Sequence, residues 1–424
     1  MPTPSGKPKT VLVITQVFVP DPASVGQHMA DVAVELARRG NATGKFNIRV
    51  YASARGFENP STIYPRRQTL GHADIRRFPF ASFGKKSMAL RILGTAVFMI
   101  QAFFAALTTP RLAGIFFSTS PPLIGLPMTL AAIIRRVPTV YWAMDLNPDQ
   151  LLALGKIKPN GLVCRLLESV NRFILHRSTS IVALDRFMAD RLAARNVPRS
   201  KILVLPPWPH ENEIQPNVPE KSASISENPF RLRHGLAGKF VIMYSGNHSP
   251  SNPLTTILDA VVQLKDDPNL RFLFVGGGSG KKEVDEYIRN HNLTNTLSLP
   301  YQPMDELKHS LSATDIHIVS LGQNMVGIIH PCKIYGAMAV ARPLLFLGPK
   351  PSHISDLLDR HNIGIHIPHG DIPAAIAAIR RLREMPPTQL QSMGQTAQTV
   401  LEQSLSQSLL CGQFCDFVEK SMRI

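Results

Sequence analysis

Apolar residues in this chain fall into short dense runs separated by stretches with helical spacing. Val11-Leu-Val-Ile-Thr15 is one such run, largely β-branched, and reads as a strand buried on both faces of a parallel sheet. A loop from Val19 to His28 follows. Met29–Arg39 then repeats its apolar positions at helical spacing and stops at Gly40, as an amphipathic helix does. Further strands are predicted at Ile48–Tyr51, Gly114–Ser118 and Thr139–Trp142, with helices between them that include Gly161–His176 and Arg186–Arg195. This alternation predicts a doubly wound parallel α/β sheet.

The pattern breaks at Leu205-Pro-Pro-Trp-Pro-His210 and at the Pro-, Ser-, Glu- and Asn-rich stretch Gln215–Pro229, and it restarts at the strand Phe240–Ser245. A loop over Gly246–Pro253, a helix over Leu254–Lys265, and strands at Arg271–Val275, Thr296–Leu299, Ile316–Ser320 and Pro343–Phe346 complete a second α/β half. The division expected is an N-terminal domain at 1–210, a linker at 211–239, a second domain at 240–400, and a helix at 401–424 that returns to pack on the first domain. Ligands of open α/β sheets bind outside the carboxyl ends of the strands, so two such sheets facing each other would hold the chemistry in a cleft lined by those loops.

Composition agrees with two folded domains. The chain has 424 residues, 44% of them hydrophobic and 18% charged, which excludes a disordered polymer. A formal net charge of +16 implies an anionic partner, for which nucleic acid, a phosphorylated substrate and anionic lipid all qualify. Cys164, Cys332, Cys411 and Cys415 have no metal-ligand spacing, and their sparseness suits free thiols in a reducing compartment. Met1–Thr10 is polar and runs into a strand, so no signal peptide is expected.

The charge is unevenly spread. Between Asp74 and Asp145 there is no acidic residue, whereas Arg76, Arg77, Lys85, Lys86, Arg91, Arg111, Arg135 and Arg136 all lie there. The same stretch holds the apolar run Ile92–Leu107, interrupted by Thr95 and Gln101 and followed by Pro110. Three readings stay open for it: a buried helix of the α/β domain, an interfacial helix with basic flanks, or a membrane span, which needs roughly 20 apolar residues.

Seven segments in order carry a resemblance. They are Pro20–His28, Ser118-Thr-Ser-Pro-Pro122, Asp145-Leu-Asn-Pro-Asp149, Tyr244-Ser-Gly-Asn247, Phe274-Val-Gly-Gly277, Leu299-Pro-Tyr-Gln-Pro303, and His330-Pro-Cys-Lys-Ile-Tyr-Gly-Ala-Met-Ala339 with Arg342-Pro343. From about Val11 to Pro351 the chain resembles the family-4 glycosyltransferases of the GT-B fold, in the subgroup that builds surface polysaccharides such as colanic acid. The resemblance implies two facing Rossmann-like domains. The N-terminal one would bind the acceptor and the C-terminal one a nucleotide-sugar donor.

Residue by residue, it implies the following. Gly26 would let backbone amides approach the donor diphosphate at a helix start, or it is an ordinary turn glycine. His28 either meets phosphate or acceptor or packs in the core. Asp145, at a strand's carboxyl end, is the better catalytic candidate, because a carboxylate is costly to desolvate without purpose. Asp149 lies on the acceptor side or caps a helix. Many relatives have a His before this first Asp; here it is Met144.

On the donor side, Gly246, Asn247 and His248 would cradle the diphosphate. Gly276, Gly277 and Tyr301 would lie near the base, and Pro331 and Tyr335 belong to the motif that meets the nucleotide. Relatives often place Arg and Lys in the loop after Gly246, where this chain has Asn247, His248 and Asn252. Neutralisation of the diphosphate therefore falls to Lys333, the only lysine between Lys308 and Lys350; the competing reading is a solvated helix lysine. Two glutamates usual in the family are replaced by Ile328 and Gly336, so ribose recognition must differ. The segment Val326–Pro331 is expected to offer backbone amides to the phosphates.

The function implied is a retaining, metal-independent transfer from a nucleotide-diphosphate sugar to a lipid-linked or glycan acceptor. It would take place on an anionic membrane surface at the inner face of the plasma membrane, without cofactor or nucleic acid. A catalytically weak scaffold of a polysaccharide assembly complex and a GT-B sugar-nucleotide epimerase are the alternatives.

Overall fold

A computed structural model describes residues 7–21, 23–56, 59, 61–80, 88–209, 227–303 and 305–424. The chain divides into two compact units, Met1–Pro207 with Ser408–Ile424, and Trp208–Gln407.

The first unit is built on an eight-stranded sheet: β1 (Lys9–Ile14), β2 (Phe46–Ser53), β3 (Arg67–Leu70), β4 (Ala73–Phe78), β5 (Leu112–Phe117), β6 (Thr139–Ala143), β7 (Ser180–Ala183) and β8 (Ile202–Val204). Their order is β3-β4-β2-β1-β5-β6-β7-β8. All neighbours are parallel except β3, which runs antiparallel to β4 at the edge. β1 and β5 are the central strands, and the unbroken apolar runs at Val11–Ile14 and Leu112–Phe117 are buried because helices cover both faces. The chain winds outward in opposite directions from β1 and β5, which makes their carboxyl ends the topological switch point.

The helix Gln407–Met422 completes this unit. Phe414 packs its ring 4.4 Å from Trp142 and 5.3 Å from Phe116. Met422 lies over Gly114, where a Cβ would come within 2.6 Å of its sulfur, so β5 needs glycine there. Arg39 clamps the helix from outside through Asp416 at 2.6 Å and Glu419 at 3.1 Å.

The second unit holds β9 (Phe240–Ser245), β10 (Leu270–Val275), β11 (Thr296–Leu299), β12 (Ile316–Ser320), β13 (Leu344–Leu347) and β14 (Gly364–Ile367). The order β11-β10-β9-β12-β13-β14 is parallel throughout and places a second switch point between β9 and β12.

Residues 227–239, read from composition as the end of a linker, are part of the second unit. Asn228 caps the helix Pro229–Arg233, Phe230 is fully buried against Val241 and Met243, and Arg231 reaches Asp315 at 2.5 Å. Local polarity concealed this because the partners lie far along the chain. The rest of that stretch, 210–226, falls outside the described residues, as do Lys85 and Lys86.

Candidate functional site

In the second unit, most of the predicted donor residues meet at the switch point. β9 ends in Gly246 at φ +124°, a conformation that side-chain-bearing residues rarely adopt. A Cβ there would come within 2.6 Å of Lys333 Cε. Gly276 at φ +127°, at the end of β10, has no room either, since a Cβ would come within 2.1 Å of the Gly246 carbonyl oxygen. Gly277 lies against the exposed ring of Tyr301, which follows β11. The bare strand ends let the chain pack backbone against backbone and leave polar backbone at the rim.

Lys333 opens the helix Lys333–Ala339, and its stem runs back across Gly246. Its ammonium donates to the Asn247 carbonyl at 3.1 Å and stands 5.0 Å above the Tyr244 ring. Tyr244 fixes the same carbonyl from below, its hydroxyl donating at 2.8 Å. No carboxylate pairs with Lys333 among the described residues, and burial pulls its pKa down to about 8.

His248 is buried beside these groups, its ring 4.8 Å from that of Tyr244. Neither ring nitrogen has a hydrogen-bond partner among the described residues. Burial, and then the nearby Lys281, push its pKa down to about 4, so the imidazole is neutral at pH 7. Its backbone is fixed to the second glycine loop: the amide donates to Gly277 at 2.7 Å and the carbonyl accepts from Gly280 at 3.0 Å.

Lys281 was not among the predicted residues. Its ammonium donates to the carbonyls of Phe274 at 2.5 Å and Leu299 at 2.9 Å, tying the ends of β10 and β11 together. A lysine directly after a glycine-rich loop was the one available signal. Tyr244, placed under Lys333, was visible only as part of a motif.

Tyr335 and Pro331 stand apart from this cluster. Tyr335 is buried with its hydroxyl 2.7 Å from His330 Nε2, and His330 packs against His353 with ring centroids 4.4 Å apart and the rings tilted by 50°. Tyr335 therefore supports the loop that carries Pro331 from within the core. The expectation that Val326–Pro331 offers free amides needs correction at two positions, because Ile328 and Ile329 both donate to the Met325 carbonyl. Ile328 is buried, and Gly336 faces Leu311, whose methyl would lie 3.4 Å from a Cβ.

In the first unit, Asp145 follows β6 and lines a pocket with Ser118, Thr119, Tyr141, Asn147 and Asn171. It makes no hydrogen bond or ion pair among the described residues, and desolvation raises its pKa to about 6. Four residues on, Asp149 is committed elsewhere. Both its oxygens accept from Arg195 at 2.8 Å, with Arg191 at 3.6 Å. It stands in the first turn of the helix Asp149–Ala153 without serving as its cap. The structure gives it an ion pair, which spacing could not show because Arg195 lies too far along the chain.

Gly26 lies inside the helix Ser24–Thr43, and its amide already donates to Ala23. A Cβ there would come 3.1 Å from the Phe18 backbone, so the glycine serves close packing of helix against loop, and its amide is not free for phosphate. His28 is buried, with Nδ1 2.8 Å from the Ser24 carbonyl and its ring edge-on to Trp142 at 6.0 Å, which is a packing environment. Among the described residues no three His, Cys, Asp or Glu side chains cluster as metal ligands would.

Two α/β units, each with polar groups at strand carboxyl ends, define the GT-B fold class. Comparison with known proteins gives the family. Residues 25–208 match the glycosyl transferase 4-like domain and residues 228–400 the glycosyl transferases group 1 domain, so the chain belongs to the family-4 glycosyltransferases. It is 27% identical over 360 residues to a Pseudomonas aeruginosa protein assigned as glycosyltransferase WbjE, covering 84% of this chain and 86% of the other. It is 23% identical over 385 residues to an Escherichia coli K12 protein assigned as colanic acid biosynthesis glycosyl transferase WcaI, covering 89% and 92%. Among solved structures, Anabaena HepE in complex with UDP-glucose superimposes with a TM-score of 0.70 at 16% identity over 97% of this chain and 99% of that one. The lipopolysaccharide-biosynthesis glycosyltransferase WaaG does so with a TM-score of 0.68 at 13% identity, over 96% and 99%. At these identities the likeness is one of fold.

Proposed function

We propose that the chain is a retaining, metal-independent glycosyltransferase that moves a hexose from a nucleoside-diphosphate sugar to a lipid-linked or glycan acceptor. The transfer would occur at the inner face of the plasma membrane, in the building of a surface polysaccharide. The retaining stereochemistry rests on the family resemblance, and the polysaccharide on the relatives assigned to such pathways. A uridine nucleotide is the first donor to try, because HepE was crystallised with UDP-glucose.

The observation that carries the reading is Lys333, a half-buried ammonium with no carboxylate partner among the described residues, held at the switch point over two strand ends that have no side chains. The acceptor hydroxyl oxygen would bond to the anomeric carbon as the bond from that carbon to the diphosphate oxygen breaks, with the electron pair going to the diphosphate, which takes the hydroxyl proton. Lys333 would meet the charge that develops there, at a site already preorganised by Asn247 and Tyr244. His248, neutral and without partners, would supply a hydrogen bond to the same group without adding charge. Asp145 would accept a hydrogen bond from a hydroxyl of acceptor or sugar. Metal independence rests on the absence of an Asp-x-Asp motif in the sequence.

Lys333→Ala tests this directly. With donor and acceptor supplied, kcat/KM should fall by about 2–4 kcal/mol in barrier terms while the melting temperature stays near that of the parent. Unchanged turnover would remove Lys333 from the reaction.

A further inference from the structure

The apolar run Ile92–Leu107 lies within the helix Met88–Thr108, of which Leu90–Thr108 is long and apolar enough to cross a bilayer. It is nonetheless tied into the fold on one side. Phe98, Ala102 and Ala106 are fully buried, and Arg135 donates from the neighbouring helix Gly125–Arg135 to the Leu107 carbonyl. Crossing a membrane would strip that side from its sheet, so the span reading fails.

The other side is uncovered. Ile92 is 63% exposed, and Ile100 and Phe104 follow it at helical spacing, both exposed. The apolar surface does not stop at this helix. Gly125–Arg135 packs beside it and exposes Ile134, and Leu162–Arg177 packs beside that one through Ile174 on Gly125, exposing Leu166 and Leu162, the last at 86%. Three adjacent helices of one layer thus turn large aliphatic and aromatic side chains to solvent together, where a soluble monomer scatters them singly.

The charges around this layer have one sign. Arg91, Arg136 and Arg165 are exposed on the same three elements, with Lys156 and Lys158 in the loop before the third. The first two helices carry no acidic residue, and Glu168 of the third accepts from Arg195 at 3.4 Å. An apolar layer rimmed mainly by cations complements a lipid leaflet with anionic headgroups: tails take the side chains, and phosphates take the arginines. A second copy of the chain would bring a second set of cations against the first.

We propose that these three helices form a monotopic docking face that lies in one leaflet of an anionic membrane, with the Met88–Thr108 helix in the plane of the interface. This deepens the proposed function by naming the surface on which a lipid-linked acceptor is met.

The test is co-sedimentation of the full chain with phosphatidylcholine vesicles made with and without phosphatidylglycerol. The parent should sediment with the anionic vesicles. The Ile92→Ser/Ile100→Ser/Phe104→Ser variant should partition at least about tenfold less, since each exposed apolar side chain adds to interfacial binding. Arg91→Gln/Arg165→Gln should bind more weakly and with less dependence on salt. A triple variant that sediments like the parent overturns the proposal, as does a parent that binds neither vesicle. A parent that self-associates in ultracentrifugation, with a monomeric triple variant and no vesicle binding, reassigns the face to a second copy. Turnover on a water-soluble acceptor, measured on the same variants, should stay at the parent level. Loss of turnover in the parent would count against the transferase reading alone.

Discussion

The two units treat a half-buried charge in opposite ways at the ends of their sheets. Among the described residues, the first keeps a carboxylate, Asp145, with no cation, and its pKa rises to about 6; the second keeps an ammonium, Lys333, with no anion, and its pKa falls to about 8. Both are pushed toward neutrality by desolvation. Two buried charges elsewhere are matched, Asp149 with Arg195 and Arg231 with Asp315. Folding alone would favour a partner or an apolar replacement at either site. Two unmatched groups of opposite sign, one per unit and both at strand carboxyl ends, are what a transferase needs if the ligands complete the pairs: a diphosphate for the lysine, a hydroxyl for the carboxylate.

The sharpest way to break this comparison is to neutralise Asp145 and Asp149 in parallel. Asp145→Asn should lower kcat/KM by tenfold or more and yet raise stability at pH 7 by about 2 kcal/mol, because it removes an uncompensated buried charge. The sign follows from the raised pKa: the native state holds this proton more tightly than the unfolded chain, so the cost of Asp145 grows between the ordinary carboxylate range and about pH 6 and is complete above it. Asp149→Asn should do the reverse. It leaves Arg195 without its main partner, lowers stability by about 2 kcal/mol and leaves kcat/KM near the parent value. Thermal melts and kinetics on the two variants decide it, and a destabilised Asp145→Asn would erase the distinction.

A smaller effect should appear in the pH profile of kcat/KM. If Asp145 acts as carboxylate and Lys333 as ammonium, as proposed, activity should rise as pH passes about 6 and fall as pH passes about 8. In Lys333→Arg the alkaline limb should move beyond the lysine range while the acid limb stays. A limb near pH 8 that survives in this variant belongs to another group.

The smallest effect concerns the ribose. With Gly336 and Ile328 where relatives have glutamates, preference for a ribonucleoside diphosphate over its 2′-deoxy form should be near tenfold, or about 1.4 kcal/mol. Competition assays measure it directly. A much stronger preference would mean that another side chain holds the ribose. Gly336→Glu should give little gain, because a Cβ there points at the buried Leu311.

How much of this was legible beforehand follows from the range of the interactions. The buried parallel strands β1, β5, β6, β9, β10 and β12 announce themselves as apolar runs, and the glycine and lysine cluster at the ends of β9 and β10 is readable because its residues sit in local motifs. β3, with its largely exposed sequence Arg-Gln-Thr-Leu, has no periodicity to detect. The ion pair of Asp149 is invisible in the sequence because its partner is 46 residues away, and Gly26 is ambiguous there because close backbone packing and phosphate approach ask for the same residue. The apolar face was seen only in its first helix, since adjacency of three helices is a property of the layer and not of any one segment.

The return of Gln407–Met422 to the first unit has a consequence for biosynthesis. The chain leaves that unit at Pro207 and rejoins it at Ser408, so the second unit is in topological terms an insertion. On the ribosome, the faces of Trp142 and Phe116 that Phe414 covers stay wet until the whole insertion has emerged. The first half of the polypeptide must wait for the last helix to be sealed, a natural point for a chaperone to hold it and for a stalled or clipped product to aggregate.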